Sequence, residues 1–493
     1  MTLRITNDLT RQREEFVPLH EGWVGLYVCG PTVYDDPHIG HAKSYVSFDA
    51  VLRYLRFSGY QVRYVQNITD VGHLSDDADE GEDKILRRAA RERIEPMELV
   101  ETYARSYFED MDALRVLRPD ISPRASGHIL EQIELVKKLL EKGHAYEANG
   151  SVYFSVPSFP RYGQLSGRRV EDVQEAVRIE KNPDKRHPAD FALWKRAEPG
   201  HILRWLSPWG WGFPGWHLEC SAMSMRYIGE TVDIHGGGLD NIFPHHESEI
   251  AQSEAANGVQ FVRYWMHNNM VTVDGTRMGK SLGNYITIKQ ALRGEHPRLS
   301  RAYSPMAVRF FVLSSHYRNP LDFSDAGLES AERGLARLHE AVRRAREHLA
   351  TAPEGPADPE VERSLAAHQE RFIAAMDEDF NTPVALSVLF DVTRESNARA
   401  ESGETTQGTW LAYDVLYREL GDAVLGLVPD ELGGAGVGAA GLADDLMRIL
   451  LAMRAEFRAK KEWARSDTLR DQLLQLGIAL EDGAEGTRWR LNR

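Results

Sequence analysis

The stretch that most restricts the fold runs from Trp23 to Val65. Trp23 to Val28 is a short apolar run bounded by turn residues. Ala42 to Phe57 repeats apolar side chains at helical spacing (Tyr45, Phe48, Leu52, Leu55), and Val62 to Val65 is a second apolar run beyond the Gly59 stop. Strand, loop, helix and strand in this order predict a right-handed βαβ unit in a parallel sheet. Such sheets hold ligands at the carboxyl ends of their strands. The loop at that end, Cys29-Gly-Pro-Thr-Val-Tyr-Asp-Asp-Pro-His-Ile-Gly-His41, places a thiol at the strand end and two imidazoles where the helix begins.

A chain of 493 residues is too long for one core, so about three to five domains or subdomains are expected. The net charge of -15 excludes a broadly basic surface but permits a local basic patch. The first residues lack the apolar core of a signal peptide, and no apolar stretch reaches the ~18 residues a bilayer span needs. A soluble cytoplasmic enzyme with no membrane partner is expected. Cys29 and Cys220 are the only cysteines, too few for a disulfide framework, and buried inert thiols are the simplest alternative to a functional role.

Along the chain, Asn67 to His73 reads as a polar strand-end loop and Asp76 to Asp83 as an acidic loop, followed by helical patterns to about Val116 and from Ser126 to Lys142. Asn149-Gly150 between two β-like runs predicts a hairpin. From there to about Pro208 the chain reads as an insertion in the sheet domain. That domain resumes near Gly215 with a helix over Trp216 to Tyr227, a strand over Thr231 to His235, three glycines and a helix from about His245 to Asn257. Phe261 to Val273 returns to β character before the glycine-punctuated loop Asp274 to Asn284. Beyond about Ser324, helical periodicity predicts a four-helix bundle. A glycine-rich linker, Gly433 to Gly441, precedes a last small domain.

Two sets of residues suggest chemistry. His245 and Glu249 lie four apart on one helical face and, with Cys29 and Cys220, offer two thiolates, an imidazole and a carboxylate, a donor set suited to zinc rather than to magnesium or calcium. For His245 and Glu249 alone, a metal-free helix start with dipole-favoured acids is the simpler reading. The second set suits phosphate. His38-Ile-Gly-His41 opens a helix whose free N–H groups and dipole favour an anion. Gly40 leaves room for a base or sugar, and Lys280, among Gly275, Gly279 and Gly283, supplies a mobile cation.

His38-Ile-Gly-His41 and Arg277-Met-Gly-Lys-Ser281 resemble the HIGH and KMSKS motifs of class I aminoacyl-tRNA synthetases. Tyr27 to Tyr34, Asn67 to His73, Pro214 to Met223, Asp233 to Gly238, Phe243 to Glu249, Asp379 to Pro383 and Leu480 to Trp489 are similar to the cysteinyl-tRNA synthetase family specifically. Two positions depart from the second motif: Arg277 stands where a Lys is usual and Gly279 where a Ser is usual. The guanidinium keeps charge without the compact ammonium, and the glycine adds backbone freedom.

The resemblance implies an α/β fold: a Rossmann-type parallel-sheet catalytic domain (1-125 and 211-262) with an inserted α+β subdomain (126-210). A linking subdomain with the KMSKS-like loop (263-324), a helical bundle (325-430) and a small mixed α/β anticodon-binding domain (443-493) follow. It implies one zinc at Cys29, Cys220, His245 and Glu249, and amino-acid contacts from Thr69 and Trp216. His38, His41 and Lys280 would act on the phosphates, and Gly40, Asp240 and Lys280 would hold ATP with magnesium. The expected partners are ATP, L-cysteine and tRNA(Cys), acting on a monomer. For tRNA, Arg454, Arg458, Lys461 and Arg465 are spaced as one helical stripe, and Trp463 and Trp489 could stack on unpaired bases. A solvated face is the ordinary meaning of such a stripe. Two rivals stand beside this reading: the cysteine-sugar ligase of mycothiol synthesis, which lacks such a tail, and a non-catalytic tRNA-binding paralogue.

Overall fold

A computed structural model describes residues 2–72, 74, 83–168, 182–403, 405–430 and 438–491 apart from 476, 477, 484 and 485. Most of the acidic loop before Asp83, His73, part of the insertion and the glycine linker up to residue 437 lie outside the described residues. The chain divides into two compact units, Met1–Asp430 and Glu431–Arg493.

The first unit is built on four parallel strands in the spatial order Val262–Asn268, Val232–Gly238, Trp23–Val28, Gln61–Gln66. The helix Ile39–Phe57 carries the chain from Trp23–Val28 outward to Gln61–Gln66, and Glu247–Asn257 carries it from Val232–Gly238 outward the other way to Val262–Asn268. The two central strands are therefore neighbours whose connections diverge, which opens a crevice at their carboxyl ends. Ile234 pairs with Leu26, His235 with Tyr27 and Gly236 with Val28, and the Cys29 N–H donates to Gly236 O at 3.0 Å. Both strands are buried on both faces, Trp23–Val28 through apolar side chains and Val232–Gly238 with Asp233 and His235 among its buried residues.

A five-stranded antiparallel sheet is inserted between residues 145 and 214. It begins with the hairpin Ala145–Ala148/Ser151–Phe154, whose turn residues Asn149 (φ 49°) and Gly150 (φ 82°) both take the positive φ that a tight hairpin turn demands. Its strand Gly210–Pro214 runs straight into the helix Trp216–Tyr227, so the insertion delivers Trp216 and Cys220 back to the parallel sheet. Beyond the sheet, Val271–Val273 pairs with Leu321–Phe323 and with Thr276–Arg277, and the loop carrying Lys280 leaves from that small sheet. Helices Asp325–Thr351, Pro359–Asp377, Thr382–Glu401 and Gln407–Leu416 form the bundle.

Buried polar contacts join these parts. Arg309, on the helix Pro305–Leu313, is fully buried. It pairs with Asp49 of Ile39–Phe57 and donates to Leu114 O (2.9 Å) and Leu425 O (2.8 Å). Asp49 also accepts from Arg53 Nε (2.7 Å) and the Leu117 N–H (2.8 Å). Asp379, after the helix Pro359–Asp377, accepts from the Thr6 N–H (2.9 Å), Thr6 Oγ1 (2.6 Å) and Tyr317 Oη (2.8 Å).

The second unit holds helices Gly438–Ala459 and Trp463–Gln475 and a hairpin of Ile478–Gly483 with Gly486–Leu491. The first helix begins within the segment read as linker. The basic stripe needs correction, because the residues do not share one helix. Arg454 is buried (3% exposed), Arg458 lies next to the helix end, and Lys461 sits in the interhelical turn at φ 58°, with Arg465 on the second helix. Among the described residues no helix is long and apolar enough to cross a membrane.

Removing one partner of a buried ion pair leaves an uncompensated charge and costs about 3–5 kcal/mol. Arg309→Leu is expected to lower unfolding stability by that order in urea titrations, and the double variant with Asp49→Leu to recover part of the loss.

Candidate active site and metal centre

The crevice is furnished from three elements. Cys29 follows the strand Trp23–Val28, Cys220 lies on Trp216–Tyr227, and His245 and Glu249 flank the start of Glu247–Asn257. One donor atom from each of the four residues lies within 4.8 Å of the other three, and all four are buried. The two Sγ atoms are 3.8 Å apart, and His245 Nε2 is 3.1 Å from Glu249 Oε1. The structure brings a second donor set to the same place: Cys29, His235, His246 and Glu249. Cys29 Sγ is 3.1 Å from His246 Nε2 and 3.5 Å from His235 Nε2. The sequence reading missed His235 and His246, although His246 stands three residues before Glu249, a spacing that also faces it on a helix.

The neighbours of these donors orient them. His245 Nδ1 lies 3.1 Å from His217 Nδ1, and the Trp216 ring stacks on His245 at 4.2 Å between centroids. His246 Nδ1 meets His267 Nε2 at 2.8 Å, and His267 Nδ1 meets Asp8 Oδ2 at 2.8 Å. Thr69 Oγ1 donates to Glu219 Oε2 (2.9 Å) and receives Asn67 Nδ2 (3.1 Å), while Asn67 Oδ1 accepts the Gly30 N–H (2.8 Å). The approach at Gly30 is so close that a Cβ there would stand 1.5 Å from Asn67 O. A Cβ on Gly237 would lie 2.7 Å from His246 Cε1. Burial pushes the Cys29 thiol well up, helped by Cys220 and by Glu249 and Glu219. It raises Glu249 likewise, helped by Cys220 and Glu219. Glu249 Oε2 has no hydrogen-bond partner. A buried orphaned carboxylate oxygen beside two thiols and an imidazole is a donor set that a zinc-like ion fits.

The helix Ile39–Phe57 opens on its own histidines. His38 Nδ1 accepts the Gly40 N–H (3.0 Å), and the His38 N–H donates to His41 Nδ1 (3.0 Å), a reciprocal cap made of two imidazoles. The Ile39 N–H donates to Ile286 O (3.1 Å) and the His41 N–H to His38 O (2.8 Å). The amides expected to receive an anion are therefore already taken, and that expectation is corrected: side chains must meet the charge. With each Nδ1 accepting, each ring carries its proton on Nε2. Burial lowers His41 to about 4 and takes His38 well below the usual histidine range, with His41 and Lys280 adding to the latter, so both rings are neutral at pH 7.

The Lys280 loop reaches this corner through backbone pairing, since the Ile288 N–H donates to Pro37 O at 2.9 Å. Lys280 is half exposed, its Nζ 2.5 Å from Asp35 Oδ2. Asp240, after the glycine turn, is exposed and lies 3.7 Å from Arg277 Nη2. In the second unit Trp463 is exposed under the Arg458 guanidinium (5.9 Å), and Trp489 lies opposite Leu480 in the hairpin.

The class I (C) tRNA synthetase catalytic domain family matches residues 15–333, a DALR domain matches 371–429, and the cysteinyl-tRNA ligase anticodon binding domain matches 446–490. The cysteine–tRNA ligase of Chlorobium luteolum is 53% identical over all of both chains, and one from Thermus thermophilus is 50% identical, again over all of both chains. The chain belongs to the cysteine–tRNA ligase family. Its fold is that of the class I synthetases, as likeness to Mycobacterium tuberculosis methionyl-tRNA synthetase in complex with methionyl-adenylate also shows. That structure has a TM-score of 0.60 at 14% identity, covering 83% of this chain and 92% of the other. The anticodon-domain match gives this family member the tail that the sugar-ligase rival lacks.

Two measurements test the electrostatics. Metal uptake must displace the protons that burial holds on Cys29 and Glu249, so apparent zinc affinity in competition titrations is expected to rise between pH 6 and pH 8, by about tenfold per pH unit for each proton released. Unfolded His41 takes up its proton near pH 6.5 and folded His41 near 4. The unfolded state thus binds more protons in that window, and stability present above pH 6.5 falls as pH is lowered through it. Thermal melts from pH 7 to 4.5 are expected to show this decline, with a shallower slope for His41→Gln.

Proposed function

We infer that the chain activates L-cysteine with ATP to cysteinyl-adenylate, releasing pyrophosphate, and passes the cysteinyl group to the 3'-terminal adenosine of tRNA(Cys). The observation that carries this reading is the buried two-thiol, imidazole and carboxylate cluster at the end of the strand whose next loop leads to His38 and His41.

Cys29, Cys220, His245 and Glu249 would hold the metal, with Trp216 stacked on His245 and Thr69 fixed by Glu219 forming walls for the amino acid. Zinc bound there supplies a Lewis acid that prefers a thiolate to a hydroxyl, which separates cysteine from serine where shape alone gives only about 10- to 200-fold. No protein nucleophile is needed. The substrate carboxylate attacks the α-phosphorus and pyrophosphate leaves, so this chain contributes position and charge. The Nε2–H groups of His38 and His41 donate as neutral partners, Lys280 brings the full positive charge, and magnesium enters with ATP. Gly40 and Asp240 contact base and ribose. In the second step a ribose hydroxyl of the tRNA attacks the adenylate carbonyl and AMP leaves. Arg458, Lys461, Trp463 and Arg465, grouped around the interhelical turn, and Trp489 on the hairpin are the anticodon-side contacts. Arg454, being buried, acts inside its own unit.

Pyrophosphate exchange measures the first step. Cysteine is expected to support it with a preference over serine well beyond ~200-fold, and removal of zinc to abolish most of that preference, followed by tRNA(Cys) charging with the restored protein. No exchange with cysteine overturns the ligase reading, and undiminished discrimination after verified zinc loss overturns the role of the cluster.

A further inference from the structure

The loop that joins Cys29 to His38 carries two acids, Asp35 and Asp36, that neither the metal cluster nor the imidazole cap uses. Asp35 faces the Lys280 loop. Its Oδ2 is 2.5 Å from Lys280 Nζ, and that ammonium also lies 4.8 Å from the Tyr285 ring centroid and 5.6 Å from that of Tyr34. One carboxylate and two aromatic faces make a seat for a cation. The seat is itself fixed. Arg88 Nη1 lies 3.8 Å from Asp35 Oδ1 on its far side. Asp36 accepts from Ser106 Oγ and lies 4.0 Å from Lys289 Nζ, which is held by Asp110 at 2.6 Å.

The rest of the loop lies over the same crevice. Arg277 Nη2 reaches Asp240 at 3.7 Å, and Met278 Cε is 3.7 Å from where a Cβ on Gly40 would stand. Both cations of the loop are thus paired with acids on opposite lips, Asp35 before the helix Ile39–Phe57 and Asp240 beyond the strand Val232–Gly238. Met278 covers the glycine that leaves room for a nucleotide.

We propose that Asp35, with Tyr34 and Tyr285, is a resting socket for the Lys280 ammonium, a positioning site that keeps the loop closed without nucleotide and that ATP must empty to draw Lys280 onto its phosphates. This rests on the assignment of Lys280 to the phosphates given above. A nucleotide that must first displace the socket binds with an affinity reduced by the fraction of loops already free. Lys280 is 53% exposed and Asp35 20%, so the pair is solvent-screened and its effect is small.

The test uses the full-length, zinc-loaded protein with Asp35→Asn, which keeps the size and an acceptor oxygen, and Asp35→Glu as the conservative control. Two readouts are needed. In ligand-free protein, tryptic cleavage after Arg277 and Lys280, followed by mass spectrometry of those peptides, is expected to be several-fold faster in Asp35→Asn and close to the parent in Asp35→Glu. In pyrophosphate exchange, the KM for ATP is expected to fall by about 2- to 5-fold in Asp35→Asn while the KM for cysteine stays put. Unchanged cleavage overturns the socket. A raised KM for ATP with lowered kcat also overturns it, because Asp35 would then serve the bound nucleotide. A parent protein without cysteine-dependent exchange would undo the proposed reaction, while the cleavage rates would still report on the socket.

Discussion

The parallel pairing of Trp23–Val28 with Val232–Gly238 is the constraint on which the site depends. It places Cys29, from the beginning of the chain, beside His235 and Gly236, and the hydrogen bond from the Cys29 N–H to Gly236 O extends the ladder into the loop. Because the two strands send their helices to opposite sides, the space between their ends is left for side chains. Glycine at 30 and at 237 then lets the neighbouring chain and His246 close in from two sides.

What fills that space is costly to bury. Cys29, Cys220, Glu219, Glu249 and the imidazoles of His217, His235, His245, His246 and His267 lie within or against one buried region, and the sheet offers few partners for them. The protein limits the penalty in two ways. Some groups are chained, as in His246 to His267 to Asp8, ending at Arg318. Others keep their protons, as burial dictates for Cys29 and Glu249. The imidazoles of His38 and His41 follow the same logic at the helix start: they cap the backbone there and stay neutral, so the positive charge offered beside them is that of Lys280.

Much of this was legible in the residues. The strand, loop and helix around Cys29 to His41, the helix over Trp216 to Tyr227 and the Asn149-Gly150 hairpin follow from periodicity and turn chemistry, because local interactions decide them. His245 and Glu249 could be paired by their spacing of four and joined to Cys29 and Cys220 by donor chemistry, and the family resemblance implied the same four, but their meeting at one place is a product of tertiary approach. Three features were harder to read. A spacing of four, three and four continues equally well through a helix or across a turn, so the stripe from Arg454 to Arg465 did not reveal the break at Lys461 or the burial of Arg454. The second donor set and the Asp35 contact are products of tertiary approach, and of their members only His246 carries a local signal, its spacing of three from Glu249.

The family matches divide the first unit into a catalytic region ending at 333 and a DALR domain beginning at 371. The buried contacts do not respect that division. Arg309 donates to the Leu425 carbonyl, and Asp379 holds the chain's first strand through Thr6. A fragment cut between the two regions would leave each side with polar groups whose partners went with the other. The boundary between the two family matches is therefore not a boundary in autonomy: these buried contacts tie the catalytic region to the DALR domain, and neither side keeps its polar groups partnered alone.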